Sequence, residues 1–121
     1  MSRRRRRVAV SKLTLVFVHL IMVSALPDSP ALRGWLNEIS NWRMELGYII
    51  GNAMHLDEMM GEIWANSIDD AVQRLLLYGL PELSRIVEGT LVAASCLFSI
   101  ERIVDPQTKL RMLVSLVPDV R

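Results

Sequence analysis

Between residues 31 and 66 the chain repeats one apolar pattern at regular spacing. Leu32, Trp35, Ile39, Trp42, Leu46, Ile49, Ala53, Leu56, Met60 and Ile63 follow one another at alternating steps of three and four residues. An α-helix turns once in 3.6 residues, so this spacing lays the apolar side chains along one stripe. The intervening Arg33, Asn37, Ser40, Asn41, Met44, Tyr48, Glu58 and Glu62 are mainly polar and are expected to face outward. Leu36, Ile50, Met59 and Trp64 widen the stripe beyond a two-residue coiled-coil seam, as a core-facing bundle helix requires. Gly34, Gly47, Gly51 and Gly61 interrupt it, each costing about 1 kcal/mol relative to Ala inside a helix. A break near Gly51-Asn52 is therefore expected, with helices over about 31–50 and 53–66. Gly47-Tyr-Ile-Ile-Gly51 has the small-xxx-small spacing of closely packed helices. Arg43, Glu45 and Asp57 flank it, which argues for packing against a soluble neighbour rather than a membrane span.

The rest of the chain supplies material to cover the stripe. Ser67, with Asp70 three residues on, has the form of a weak capping box and predicts a new helix that Gly79 and Pro81 end. Pro81 in turn can open a helix over roughly 81–104, almost wholly apolar from Gly89 to Ile100, which predicts the most buried element. Asp105-Pro106 is the start signal for a last helix ending before Pro118. No segment alternates with period two, so no strands are expected. The fold class is all-α, a small bundle of about five to six helices that includes an N-terminal apolar one. At 121 residues a single modest core is attainable.

Charge is distributed unevenly. Residues 1–27 hold six basic groups, Arg3 to Arg7 and Lys12, and no acid. Of fourteen basic residues in all, eight remain for 28–121 against thirteen acids, a net −5 there. Attraction to nucleic acid or anionic lipid must therefore come from the head. Leu13 to Met22 is uncharged and apolar, and Val23-Ser24-Ala25 follows before Pro27. A basic head, an apolar run and a small-x-small ending are the parts of a cleavable export signal. Uncleaved, the same stretch from Val8 to Pro27 is nominally long enough for a signal anchor, with the arginines held in the cytoplasm. An arginine-rich mitochondrial presequence and a core helix behind a basic tail satisfy the same residues. The chain thus divides into a basic head with an apolar targeting or anchor segment, 1–27, and a helical bundle, 28–121.

Candidate chemistry is sparse. Cys96 lies in an apolar run, where a thiol is ordinarily inert packing, and one cysteine makes no internal disulfide. His19 falls inside the apolar run as a tolerated polar residue. His55, Glu58 and Glu62 share a helix face and could hold a divalent metal, but a solvated face is the commoner meaning of that spacing. Met54, Met59 and Met60 read as adaptable core filler. No phosphate loop, nucleophile elbow or zincin motif is present, so no catalytic residue, cofactor or metal ligand is assigned. The expected function is protein–protein interaction by a small exported or membrane-anchored helical protein, with Trp35 and Trp42 as interface anchors. Self-association into a homodimer would use the same stripe. The alternative is an intracellular accessory protein, viral or cellular, whose Arg3, Arg4, Arg5, Arg6, Arg7 and Lys12 bind nucleic acid or anionic lipid, or direct nuclear import. No aromatic side chain is interleaved with those arginines, so a base-stacking platform is not indicated.

Overall fold

A computed structural model describes residues 2–50 and 54–120, without the side chains of 54 and 55. The described chain is all-α: α1 (Arg3–Ala25), α2 (Leu32–Ile50), a 3₁₀ helix (Met54–Met59), α3 (Met60–Leu77), α4 (Pro81–Val92), α5 (Ile100–Val104) and α6 (Leu110–Ser115). No strand occurs among the described residues.

α1 occupies the centre. Its residues from Val16 to Met22 are buried without exception, and Leu13, Phe17, Leu20 and Ile21 have no exposed surface at all. Helices α2, α3 and α6 pack around it. Two polar side chains inside this run are satisfied within the helix. The Thr14 hydroxyl donates to the Val10 carbonyl at 2.9 Å, and His19 Nδ1 lies 2.8 Å from the Leu15 carbonyl oxygen. With those groups paired one turn back, burial costs little. By length and composition α1 could also cross a membrane, its apolar window having a mean hydropathy of 2.0.

An aromatic cluster sits at the heart of the core. The Phe17 ring meets Trp64 of α3 edge-on, with centroids 5.5 Å apart, and lies 5.1 Å from Phe98. Trp64 and Phe98 complete the triangle at 5.5 Å. Edge-on and tilted contacts are the arrangements that the ring quadrupoles favour.

The stripe from Leu32 onward buries its apolar side as expected, although Met54–Met59 is a 3₁₀ helix where the α-helix over 53–66 was expected, and Ala53 lies outside the described residues. Ile39, Leu46, Leu56, Met60 and Ile63 are buried, while Arg33, Asn37, Ser40, Asn41, Met44, Tyr48, Glu58 and Glu62 are exposed. α2 ends at Ile50 and the 3₁₀ helix starts at Met54, which brackets the expected hinge; Gly51-Asn52 itself lies outside the described residues. Gly47 does not serve close packing, because a Cβ built there would meet nothing within 4 Å.

Three boundaries differ from expectation, each for an identifiable reason. Ser67 does not begin a helix. It is buried inside α3, where its hydroxyl donates to the Ile63 carbonyl at 2.7 Å, so the side chain is satisfied without capping. Asp70 pairs forward with Arg74 at 2.8 Å instead of reaching back. The helix from Pro81 stops at Val92, not near 104, and Gly89–Ile100 is not the most buried element. Leaving the helix there allows Phe98 to reach the aromatic cluster, while Val92 and Leu97 stay exposed. Finally, Asp105 caps a turn rather than a helix. Its carboxylate accepts from Gln107 N at 2.9 Å and from the Thr108 hydroxyl at 3.3 Å, and α6 starts only at Leu110. The α3–α4 turn is the one anticipated: Gly79 adopts φ +77°, and Leu80 N donates back to the Leu75 carbonyl at 3.0 Å.

Phe17→Ala should cost about 3–5 kcal/mol, the range for emptying an aromatic site in a packed core. Chemical denaturation of the purified protein measures this directly; a loss below about 1 kcal/mol would mean that α1 is not the centre of the core.

Candidate polyanion-binding surface and the polar sites around the core

The arginine head is not a tail detached from the fold. Arg3 to Arg7 form the first turns of α1 itself, behind Ser2, whose hydroxyl accepts from Arg5 N at 3.1 Å. All five arginines are exposed, and among the described residues none forms an ion pair. This placement is electrostatically costly twice over. A helix N-terminus carries partial positive charge and disfavours cations. Like charges three and four residues apart, such as Arg3 with Arg6 and Arg7, repel along the helix surface. Phosphates placed there would relieve both strains. Lys12 does not join the cluster: it is partly buried and its Nζ pairs with Glu45 of α2.

The expected interface anchors point a different way. Trp35 and Trp42 are both partly buried and pack against the core. The Trp42 ring meets the His19 imidazole at 4.8 Å, so its main contact is internal. Trp64, with 3% exposure, is the more deeply buried tryptophan.

His19 is the titratable group most enclosed by the fold. A carbonyl only accepts, so its Nδ1 carries the hydrogen given to Leu15. Nε2 then faces the Glu38 carboxylate, 3.5 Å away on α2. Burial is the largest influence and holds the imidazole pKa below its ordinary 6.5. The Leu15 hydrogen bond opposes this, Arg74 adds to it, and Glu38 and Asp70 oppose it. Glu38 was not among the sequence-derived candidates, since nothing in the spacing of His19 and Glu38 marks them as neighbours.

Arg43 is a second group that sequence reasoning missed. Its Nε donates to the Ile103 carbonyl at 2.7 Å, and its Nη2 donates to the Asp105 and Thr108 carbonyls at 3.0 and 2.8 Å. One guanidinium thereby satisfies backbone acceptors left open where α5 ends and ties that segment to α2. Partners some sixty residues apart in sequence leave no local signal.

The remaining candidates do not assemble into a reactive centre. Burial pushes the Cys96 thiol pKa up, with a partial offset from a backbone hydrogen bond at Phe98, the opposite of what a nucleophilic thiolate needs. Among the described residues no three His, Cys, Asp or Glu side chains gather at metal-binding distance. The proposed His55, Glu58 and Glu62 face lies outside the described residues, because the His55 side chain does.

Two measurements test these sites. A folded-state pKa below the unfolded one means that the native protein binds fewer protons, so the stability tied to His19 is present at neutral pH and lost as pH falls through and below 6.5. The melting temperature should therefore drop between about pH 7.5 and about pH 5.5, and His19→Asn should flatten that slope; identical slopes would clear His19 of the effect. Arg43→Ala should cost on the order of 2–3 kcal/mol, less than three charged hydrogen bonds summed, because the freed carbonyls regain water. Hydrogen exchange localised to residues 100–108 would identify the segment released.

Comparison with known proteins gives one match. Residues 1–108 match the family described as Domain of unknown function DUF29. Neither a curated protein nor a solved structure matches the chain. The matched span takes in the basic head, the core helix and every element through α5, and the chain belongs to the DUF29 family.

Proposed function

We propose that this protein is a non-catalytic helical binding module that keeps α1 in its core and presents the arginine end of α1 to the phosphate backbone of a nucleic acid. The observation that carries this reading is the placement of five exposed guanidinium groups, none in an ion pair among the described residues, on the helical N-terminal end of α1. A helical array loses less backbone freedom on binding than an extended tail does. Contacts of this type supply affinity without base readout, since phosphates carry no sequence information.

The length and hydropathy of α1 favour a second reading, in which it serves as an export signal or membrane anchor. Burial argues against it for the folded chain. Seven consecutive residues from Val16 to Met22 are covered by protein on every side, and cleavage or insertion would remove the element around which α2, α3 and α6 pack. A partner docking on Trp35 and Trp42 has less support, because both rings turn toward the core.

The test is binding of a fluorescent single-stranded RNA of arbitrary sequence across a salt series. With up to five phosphate contacts, log affinity should fall against log salt with a slope as steep as about −3.5. Changing Arg3 to Arg7 together to alanine should abolish binding while leaving the fold intact. Alkali-resistant membrane association of the full chain, or loss of α1 from the mature protein, would replace this reading with the second.

A further inference from the structure

We infer that the groove between α2 and the segment following α5 binds an apolar molecule that carries a carboxylate. The groove has a volume of about 420 Å³, within the range of small-ligand sites. Met44, Gly47 and Tyr48 of α2 form one side, and Val104 and Pro106 form the other. Arg43 lines it too and is partly buried.

The state of that arginine identifies the ligand. Its Nε and Nη2 are committed to three backbone carbonyls, which are neutral. Among the described residues no carboxylate lies within ion-pair distance of it, and its Nη1 donates no hydrogen bond. A cation partly withdrawn from water gains from a paired anion, and burial depresses the pKa of this guanidinium, which the charge of nearby Asp105, beyond ion-pair distance, only partly offsets. A neutral hydrocarbon in the groove would leave the charge unanswered. Free phosphate would leave Met44, Val104 and Pro106 uncovered. A carboxylate on an apolar stem answers both, through charge-assisted hydrogen bonds at Arg43 and contact along the walls. The hydroxyl of exposed Ser40, also on the groove, is placed to add a further donor.

The inference is independent of the arginine head and is tested separately from it. Calorimetric titration of the full chain with decanoate should show one saturable site. Decan-1-ol, the same stem without the charge, should bind about tenfold or more weakly, as loss of a charged hydrogen bond implies. Gly47→Leu should abolish decanoate binding without unfolding the protein, because position 47 has open space for a side chain and its helix gains from losing a glycine. Changing Arg3 to Arg7 to alanine should leave decanoate binding unchanged even though it removes RNA binding. An acetylated dileucine with a free terminal carboxylate, compared with its amide, separates the two sources of such a group. If the free-acid peptide outcompetes decanoate, the ligand is a chain terminus; the reverse order makes it a free acid. Equal affinity for decanoate and decan-1-ol, undiminished binding to Gly47→Leu, or loss of binding with the arginine head would each overturn the inference.

Discussion

The apolar run of α1 needs cover on all sides, because from Val16 to Met22 it keeps no face for water. An amphipathic helix can be satisfied by a single neighbour; this one cannot. Cover comes from α2 on one flank, α3 on another and α6 behind, with Phe98 inserted so that Phe17 has aromatic contact on two sides. Full burial of a side chain the size of Leu, Ile or Phe stabilises by about 1.5–3 kcal/mol. Leu13, Phe17, Leu20 and Ile21 together therefore supply a large share of the driving force for folding. The amphipathic stripe of α2 and α3 is the complement of this helix, while α3 also packs against α4.

This relation explains what was legible in the sequence. The stripe from Leu32 to Ile63 could be read because period 3.6 is local, and its outward residues are exposed as the spacing required. The α3–α4 turn was readable because Gly79 and Pro81 impose backbone conformations that few other residues tolerate. What could not be read was which helix lies at the centre. An all-round apolar run satisfies a signal, an anchor and a core helix equally, and only its contacts distinguish them. Ser67 misled for a similar reason, since a serine hydroxyl serves a cap or a carbonyl one turn back, and burial selects the latter. The departure of the chain from helix after Val92 is set by where Phe98 must go, a tertiary demand invisible to a local window.

Most polar groups near the core find a backbone partner, although Ser24 Oγ and Trp64 Nε1 are buried without one among the described residues. Thr14, Ser67 and Ser84 are each satisfied by a backbone carbonyl, Ser84 by that of Val72 across the α3–α4 pair at 3.0 Å. Arg43 is hydrogen-bonded yet not neutralised, and the five arginines of the head are neither. Charge left uncompensated contributes nothing to folding, which is why both sites are proposed to meet an anion. Of these residues only the head stood out in sequence, because five identical neighbours are conspicuous and a single arginine on α2 is not.

The central position of α1 also has a consequence for synthesis. α1 precedes its partners in the chain, and roughly fifty residues separate its end from that of α3. At ordinary elongation rates this interval lasts roughly 3–10 s. During it the nascent chain presents a basic segment joined to an apolar helix whose cover is incomplete, since α2 is made before α3 and α6. Targeting factors that sample nascent chains meet that helix before α3 does. The same residues that complete the core thus give the newborn chain the composition of a targeting signal.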